Sequence, residues 1–168
     1  MGRSASNGVN EKSLYRLQIG SKKMCDDLRN IGLVERKVKR IRLPNIPRGR
    51  FSDFLRGYFD GDGNVWVNYM NRKRKTPTLV IQTTFTSCSH GFLNSLKDKL
   101  KRFNVKGGAI FKTQEGVFRL QYSVKDSLLL YELMYDNLDN DLFLERKRRI
   151  FERYKKIRMD ACGRSSVG

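Results

Sequence analysis

The chain has 168 residues, of which 35 are Lys or Arg and 17 are Asp or Glu, giving a formal charge of +18 at neutral pH. That length fits one domain, or one plus a short extension, with a core that needs no disulfides. So large a basic excess excludes an ordinary solvated surface and favours a polyanionic partner, most simply nucleic acid, over a basic chaperone-type protein or a membrane-surface binder.

The first eleven residues are polar and Gly/Ser-rich, with no hydrophobic core of a signal peptide, and read as a disordered lead-in. Residues 14–19 read as a short strand. Ser21 then caps a helix in which Met24, Cys25, Leu28 and Ile31 recur at helical spacing before Gly32 stops it. Residues 35–50 carry seven basic residues, one acid and two prolines, Pro44 and Pro47, which forbid a continuous helix and make an extended basic connector. A helix is expected over 51–60, with Phe51, Phe54, Leu55, Tyr58 and Phe59 as its apolar surface. Residues 64–71 and 78–86 alternate as strands of a hairpin whose tip, Arg72-Lys73-Arg74-Lys75, is cationic. Ser89 caps the next helix, which carries Phe92, Leu93, Leu96 and Leu100. Strands at 109–113 and 117–122 turn at Glu115-Gly116. Ser123, with Asp126 three residues on, opens another helix. A basic helix over 142–158 and a disordered tail close the chain.

The domain organisation is therefore a lead-in at 1–11, a strand-helix segment and connector at 12–50, a domain at 51–138, a basic helix at 139–160 and a tail at 161–168. Within the domain the order α-β-β-α-β-β-α predicts an α+β fold, a four-stranded antiparallel sheet with helices on one face and the other face free for a partner. One internal echo is visible. Tyr15-Arg16-Leu17-Gln18 and Phe118-Arg119-Leu120-Gln121 are both strand-like, and each leads through a lysine, Lys22 or Lys125, into an apolar helix. As a true repeat, it makes the first segment the end of a preceding copy of the same module.

The cysteines at 25, 88 and 162 form no Cys-x-x-Cys pair, so neither a zinc site nor a disulfide framework is indicated. An intracellular setting follows, in cytoplasm, nucleoid or an organelle rather than outside the cell. No apolar run approaches the ~20 residues needed to cross a bilayer, so no membrane partner is expected.

The densest information lies in Leu55-Arg56-Gly57-Tyr58-Phe59-Asp60-Gly61-Asp62-Gly63. Gly57 and Gly61 share a helix face and allow another backbone to come close. Asp60 and Asp62, two positions apart, point in different directions and need not share a role. Acids at a helix C-terminus oppose its dipole, a cost that a bound cation relieves. No other acid follows before Asp98. The competing reading is an Asp-Gly turn chosen for conformation alone.

On alternation, Val65, Val67 and Tyr69 face the core, and Trp66, Asn68, Met70 and Arg72 face outward. Leu79, Ile81 and Phe85 inward put Gln82, Thr84 and Thr86 outward, and Phe118, Leu120 and Tyr122 inward put Arg119 and Gln121 outward. Asn, Gln and Arg read base edges in the major groove, which admits a two-stranded ribbon. Arg72 and Arg74 at the tip suit phosphates. A solvated strand face is the alternative for each residue singly. His90, the only histidine, has no partner at ligand spacing.

FLRGYFDGDG, residues 54–63, resembles the motif of the LAGLIDADG (DOD-type) homing endonucleases, and the element order after it is similar to that family's domain. Arg56 and Tyr58 depart from the name-sequence, while the glycines and both aspartates stand in place. The resemblance implies two motif helices packed glycine face to glycine face, with Gly57, Tyr58 and Gly61 at that interface. It implies Mg2+ held by Asp62, the catalytic carboxylate, with the Gly61 carbonyl joining, and a structural Asp60. It also implies basic residues near the active site, for which Lys112, Arg119 and Lys125 are candidates. Arg146-Lys147-Arg148-Arg149 suit either flanking phosphates or a solvated helix face.

The expected function is site-specific double-strand DNA cleavage by a homodimer, since the motif occurs once and a duplex has two strands. One rival is the C-terminal part of a two-motif enzyme, which needs a second motif-bearing half. Another is a non-cleaving nucleic-acid binder such as an intron maturase.

Overall fold

The computed structural model describes residues 18–30, 41–71, 73–136, 138 and 142–164, with side chains as far as residue 160. The first helix, α1 (Lys22–Asn30), starts where Ser21 allows it, the Ser21 hydroxyl accepting the Met24 N–H at 3.2 Å. It buries none of its residues, and Met24 and Leu28 stand exposed. The strand expected at 14–19 lies mostly outside the described residues, as do the lead-in, Ile31, Gly32 and the first part of the connector. Residues 41–47 have no regular structure and end in a single 3-10 turn, Arg48–Arg50.

The motif helix α2 (Phe51–Asp62) follows at once, two residues longer than its apolar pattern predicts. Phe51, Leu55 and Phe59, four apart, form its fully buried edge. Strand β1 (Gly63–Met70) begins with no intervening loop, and the Gly63 N–H closes the helix on the Phe59 carbonyl. β2 (Thr78–Ser87) returns antiparallel, in register from Gly63 opposite Phe85 to Met70 opposite Thr78. Asn71 ends β1 at φ 55, a left-handed position that asparagine tolerates.

Ser89 accepts the Phe92 N–H and starts α3 (His90–Lys101). β3 (Ala109–Lys112) and β4 (Phe118–Tyr122) form the second hairpin. Ser123 precedes α4 (Val124–Tyr135), but its hydroxyl makes no cap hydrogen bond, so the expected capping box is not formed there. α5 (Glu145–Arg164) starts later and runs further than the expected 142–158.

The sheet order is β1-β2-β4-β3, every pair antiparallel. The α+β architecture is as the sequence implies. β2 and β4 are central, so Ile81, Phe85, Leu120 and Tyr122 are wholly buried beneath the helices. Phe59 meets Phe85 at 5.8 Å and Phe151 of α5 at 5.9 Å, joining motif helix, sheet and last helix in one aromatic core. Burying each such ring contributes about 2–3 kcal/mol. Tyr69, expected inward, is 49% exposed, because the far end of the hairpin extends past the helices that would cover it.

Candidate active site and nucleic-acid interface

α2 divides its surface sharply. Opposite the buried edge, Gly57 and Gly61 are exposed, and a Cβ at either would meet nothing within 4 Å. This is an open helix face with room for a second backbone. Tyr58 is not part of it. Its ring turns toward the sheet, 5.8 Å from Phe85 and 4.9 Å from Phe92, and its hydroxyl donates to the Thr86 carbonyl at 2.5 Å. Burial first, and the Asp62 charge next, push that hydroxyl well above the ordinary phenol range. Tyr58 and Asp62 share an apolar cavity of about 400 Å³ with Phe54, Thr86, Cys88 and Phe92.

The two aspartates part company. Asp60 accepts the Leu144 N–H through Oδ2 at 2.9 Å, which caps the start of α5 across 84 positions of sequence. Asp62 is exposed and makes no hydrogen bond or ion pair among the described residues. Its carboxylate and the Gly61 carbonyl are hard oxygen donors of the kind Mg2+ takes. Among the described residues no three His, Cys, Asp or Glu side chains cluster, so one copy offers part of an octahedral ligand set. These donors fit half of a divalent-cation site.

Two basic side chains absent from the expected site do the most here. Lys147, inside the basic run of α5, is 4% exposed and donates to the carbonyls of Phe59 (2.6 Å), Asp60 (2.9 Å) and Gly63 (2.6 Å). Its ammonium also stands 4.9 Å from the centre of the Phe59 ring. Burial, then Arg146, lower its proton affinity, while Asp60 and Asp62 oppose the shift. The faint sequence signal is spacing, since Lys147 lies on one helical stripe with Ile150, Phe151 and Tyr154. Arg56 is likewise 4% exposed, donating to the carbonyls of Met134 (2.9 Å) and Leu142 (3.2 Å) and pairing with Asp53 at 2.7 Å. Motif helix and last helices thus cap one another. Arg148 and Arg149 pair with Glu152 and Glu145, as a solvated helix face would.

Among the described residues nothing covers the other sheet face, which mixes polar and apolar side chains and carries no acid. Cross-strand pairing aligns Asn64, Thr84, Gln121 and Ala109 in one row, Trp66 beside Gln82, and Thr86 beside Arg119 and Phe111. Trp66, Asn68, Gln82, Thr86, Arg119 and Gln121 therefore share one surface. Thr84 lies on it too, but is only 7% exposed between its neighbours. Lys112 does not belong there. It pairs with Phe118, whose side chain turns to the helix side, so Lys112 is exposed at the opposite edge of the sheet. Arg74 stands exposed at the hairpin tip, and Arg72 lies outside the described residues. Lys125 is exposed near the start of α4, and exposed His90 packs edge-on to Phe118 at 5.2 Å.

One α+β fold therefore joins an acid-free outer sheet face, a strongly basic chain and an open helix face ending in an exposed carboxylate. The profile of the LAGLIDADG-like domain matches residues 52–136, just over half the chain. The chain belongs to the LAGLIDADG family. Solved homing endonucleases resemble it at low identity. I-TnaI is 18% identical, the match covering 70% of this chain and 72% of that one with a TM-score of 0.48. I-AabMI, bound to uncleaved DNA, is 16% identical over 70% of this chain and 39% of that one, with a TM-score of 0.49. I-CvuI, in complex with the I-CreI target and 2 mM Mg, is 19% identical over 61% of each chain with a TM-score of 0.45. The matched part thus spans less than two thirds of the last two. Among curated protein sequences none matches.

Proposed function

We propose that this chain is a site-specific, Mg2+-dependent double-strand DNA endonuclease that works as a homodimer. The observation that carries the reading is the open Gly57/Gly61 face of α2 ending in an exposed Asp62 that makes no hydrogen bond or ion pair among the described residues. Packing two such faces together puts one Asp62 from each copy at a shared axis, so each copy serves one strand. The Gly61 carbonyl and the Asp62 carboxylate would hold the cation, which when bound supplies an activated water and charge stabilisation at phosphorus.

The chain's own residues do the rest. Asn68, Gln82, Arg119 and Gln121 offer donors and acceptors to base edges, Trp66 and Phe111 offer apolar surface, and Arg74 neutralises phosphate. Tyr58, held neutral and tied to Thr86, walls the cavity beside Asp62 and does not act as a base. Asp60 anchors α5.

α1 favours a second reading. Its exposed Met24 and Leu28 form a stripe without a covering surface among the described residues, as the last helix of a preceding module would show when its motif helix is elsewhere. The chain would then be the C-terminal half of a two-motif enzyme.

The test is cleavage of a randomised plasmid library with Mg2+, together with light scattering. The homodimer predicts a dimer, staggered cuts and their abolition by Asp62→Asn. A monomer inactive alone but active with an added motif-bearing half supports the second reading. Nucleic-acid binding without cleavage, indifferent to Asp62→Asn, overturns both in favour of a non-cleaving binder.

A further inference from the structure

Among the described side chains of α5, the chain's most basic helix, Lys147 is the one buried basic residue, and all three of its ammonium hydrogens are spent on backbone. Their targets are telling. Phe59 and Asp60 lie just before Gly61 and Asp62, and Gly63 lies just after. One point charge therefore pins the backbone on both sides of two residues without touching the groups those residues offer. The Phe59 carbonyl accepts twice, from the Gly63 N–H along the helix and from Lys147 across it. The turn so held has no slack, since a Cβ on Gly63 would lie 2.3 Å from the Phe59 ring and 2.5 Å from its carbonyl oxygen. With all three hydrogens committed, Lys147 has none left for a DNA phosphate.

We infer that Lys147 is a positioning residue. It fixes the last turn of α2 so that the Gly61 carbonyl and the Asp62 carboxylate present one geometry to the cation. A C-terminal helix cap alone would be met by an exposed lysine on a carbonyl or two. Here the cation comes from another helix, is buried against the Phe59 ring and reaches past the end of the helix into β1. The inference rests on the proposed endonuclease reading for its catalytic consequence, but not for its structural one.

The experiment compares wild type with Lys147→Met, which keeps the apolar stem, and with Lys147→Gln, which keeps one donor. Hydrogen exchange on peptides spanning residues 58–66 is read without metal, and the Mg2+ concentration for half-maximal cleavage and the DNA affinity are read alongside. Loss of an interaction that orients a ligand group typically costs about 10–100-fold in metal affinity or activity. The expectation is a rise of that size in the half-saturating Mg2+ for Met, a smaller rise for Gln, faster exchange at 61–64, and DNA affinity without metal within about twofold.

Unchanged exchange, or an unchanged Mg2+ midpoint in a folded variant, overturns the inference. Loss of the fold in both variants also overturns it, making Lys147 a requirement of folding instead. If wild type cleaves nothing, the endonuclease reading fails, and hydrogen exchange still decides whether Lys147 holds this turn.

Discussion

Neutralising Asp60 and Asp62 in turn should change stability by very different amounts, although the two residues are neighbours in one motif. Asp60→Ala removes the acceptor of the Leu144 N–H at 2.9 Å and leaves the first turn of α5 without that cap. A hydrogen bond to a charged group contributes about 1.5–3 kcal/mol, and loss of a capping side chain costs about 0.5–2 kcal/mol, so ~2 kcal/mol is expected. For a chain of this size that lowers the melting temperature by roughly 4–8 °C. Asp62→Asn removes an exposed charge that makes no hydrogen bond or ion pair among the described residues, faces the negative end of the α2 dipole and attracts the Lys147 ammonium. Relief of the dipole repulsion, worth about 0.3–1 kcal/mol, is offset by the lost attraction to Lys147, so a melting temperature within roughly 2 °C of wild type is expected. The assay is thermal unfolding followed by circular dichroism, at low salt and with chelator present. Equal destabilisation by both substitutions, or a neutral Asp60→Ala, would refute the division of labour between them.

Gly57→Leu should leave the monomer fold intact, because nothing within 4 Å of a Cβ opposes it, yet abolish association seen by light scattering. Arg74→Gln, at the hairpin tip, should weaken DNA binding and flatten the log-log salt dependence by about one unit, whereas Lys112→Gln, on the other side of the sheet, should leave that slope unchanged. Tyr58, Tyr122 and Tyr135 all have hydroxyls raised chiefly by burial, so the unfolded chain ionises first. Their contribution to stability is complete below the ordinary phenol range near pH ~10 and is lost as pH rises above it. Absorbance of tyrosinate at 295 nm should therefore show a late class of tyrosines whose ionisation coincides with unfolding.

The element order was legible because apolar periods of 2 and 3.6 alternate cleanly from Phe51 onward. The separation of Asp60 from Asp62 was legible for the same reason, two helical steps rotating them to different surroundings. Lys147 was not. A lysine between arginines reads as solvated until the carbonyls of another helix are placed against it, 84 to 88 positions away. The face that Lys112 takes was not legible either. In a four-residue strand nothing local fixes which side faces out, and its pairing with Phe118 decides the matter. The direction of Tyr58 was not legible, since its neighbour Gly57 opens to solvent while one helical step turns the phenol onto β2 and α3.

The missing loop between Asp62 and Gly63 has its own consequence. The part that would cut and the part that would read are one continuous piece of backbone, with no joint between them. Strand rise, about 3.3 Å per residue, nearly equals the ~3.4 Å per base step of DNA, so outward positions on β1 fall at about every second step, counted from Asp62. The chain is in effect a ruler with its zero mark at Asp62. For the proposed enzyme a new recognition sequence would be reachable by exchanging outward side chains, and a longer one by extending the hairpin tip. On the proposed function neither would shift the cut relative to the first bases read, so target preference would drift while cleavage phase stayed fixed.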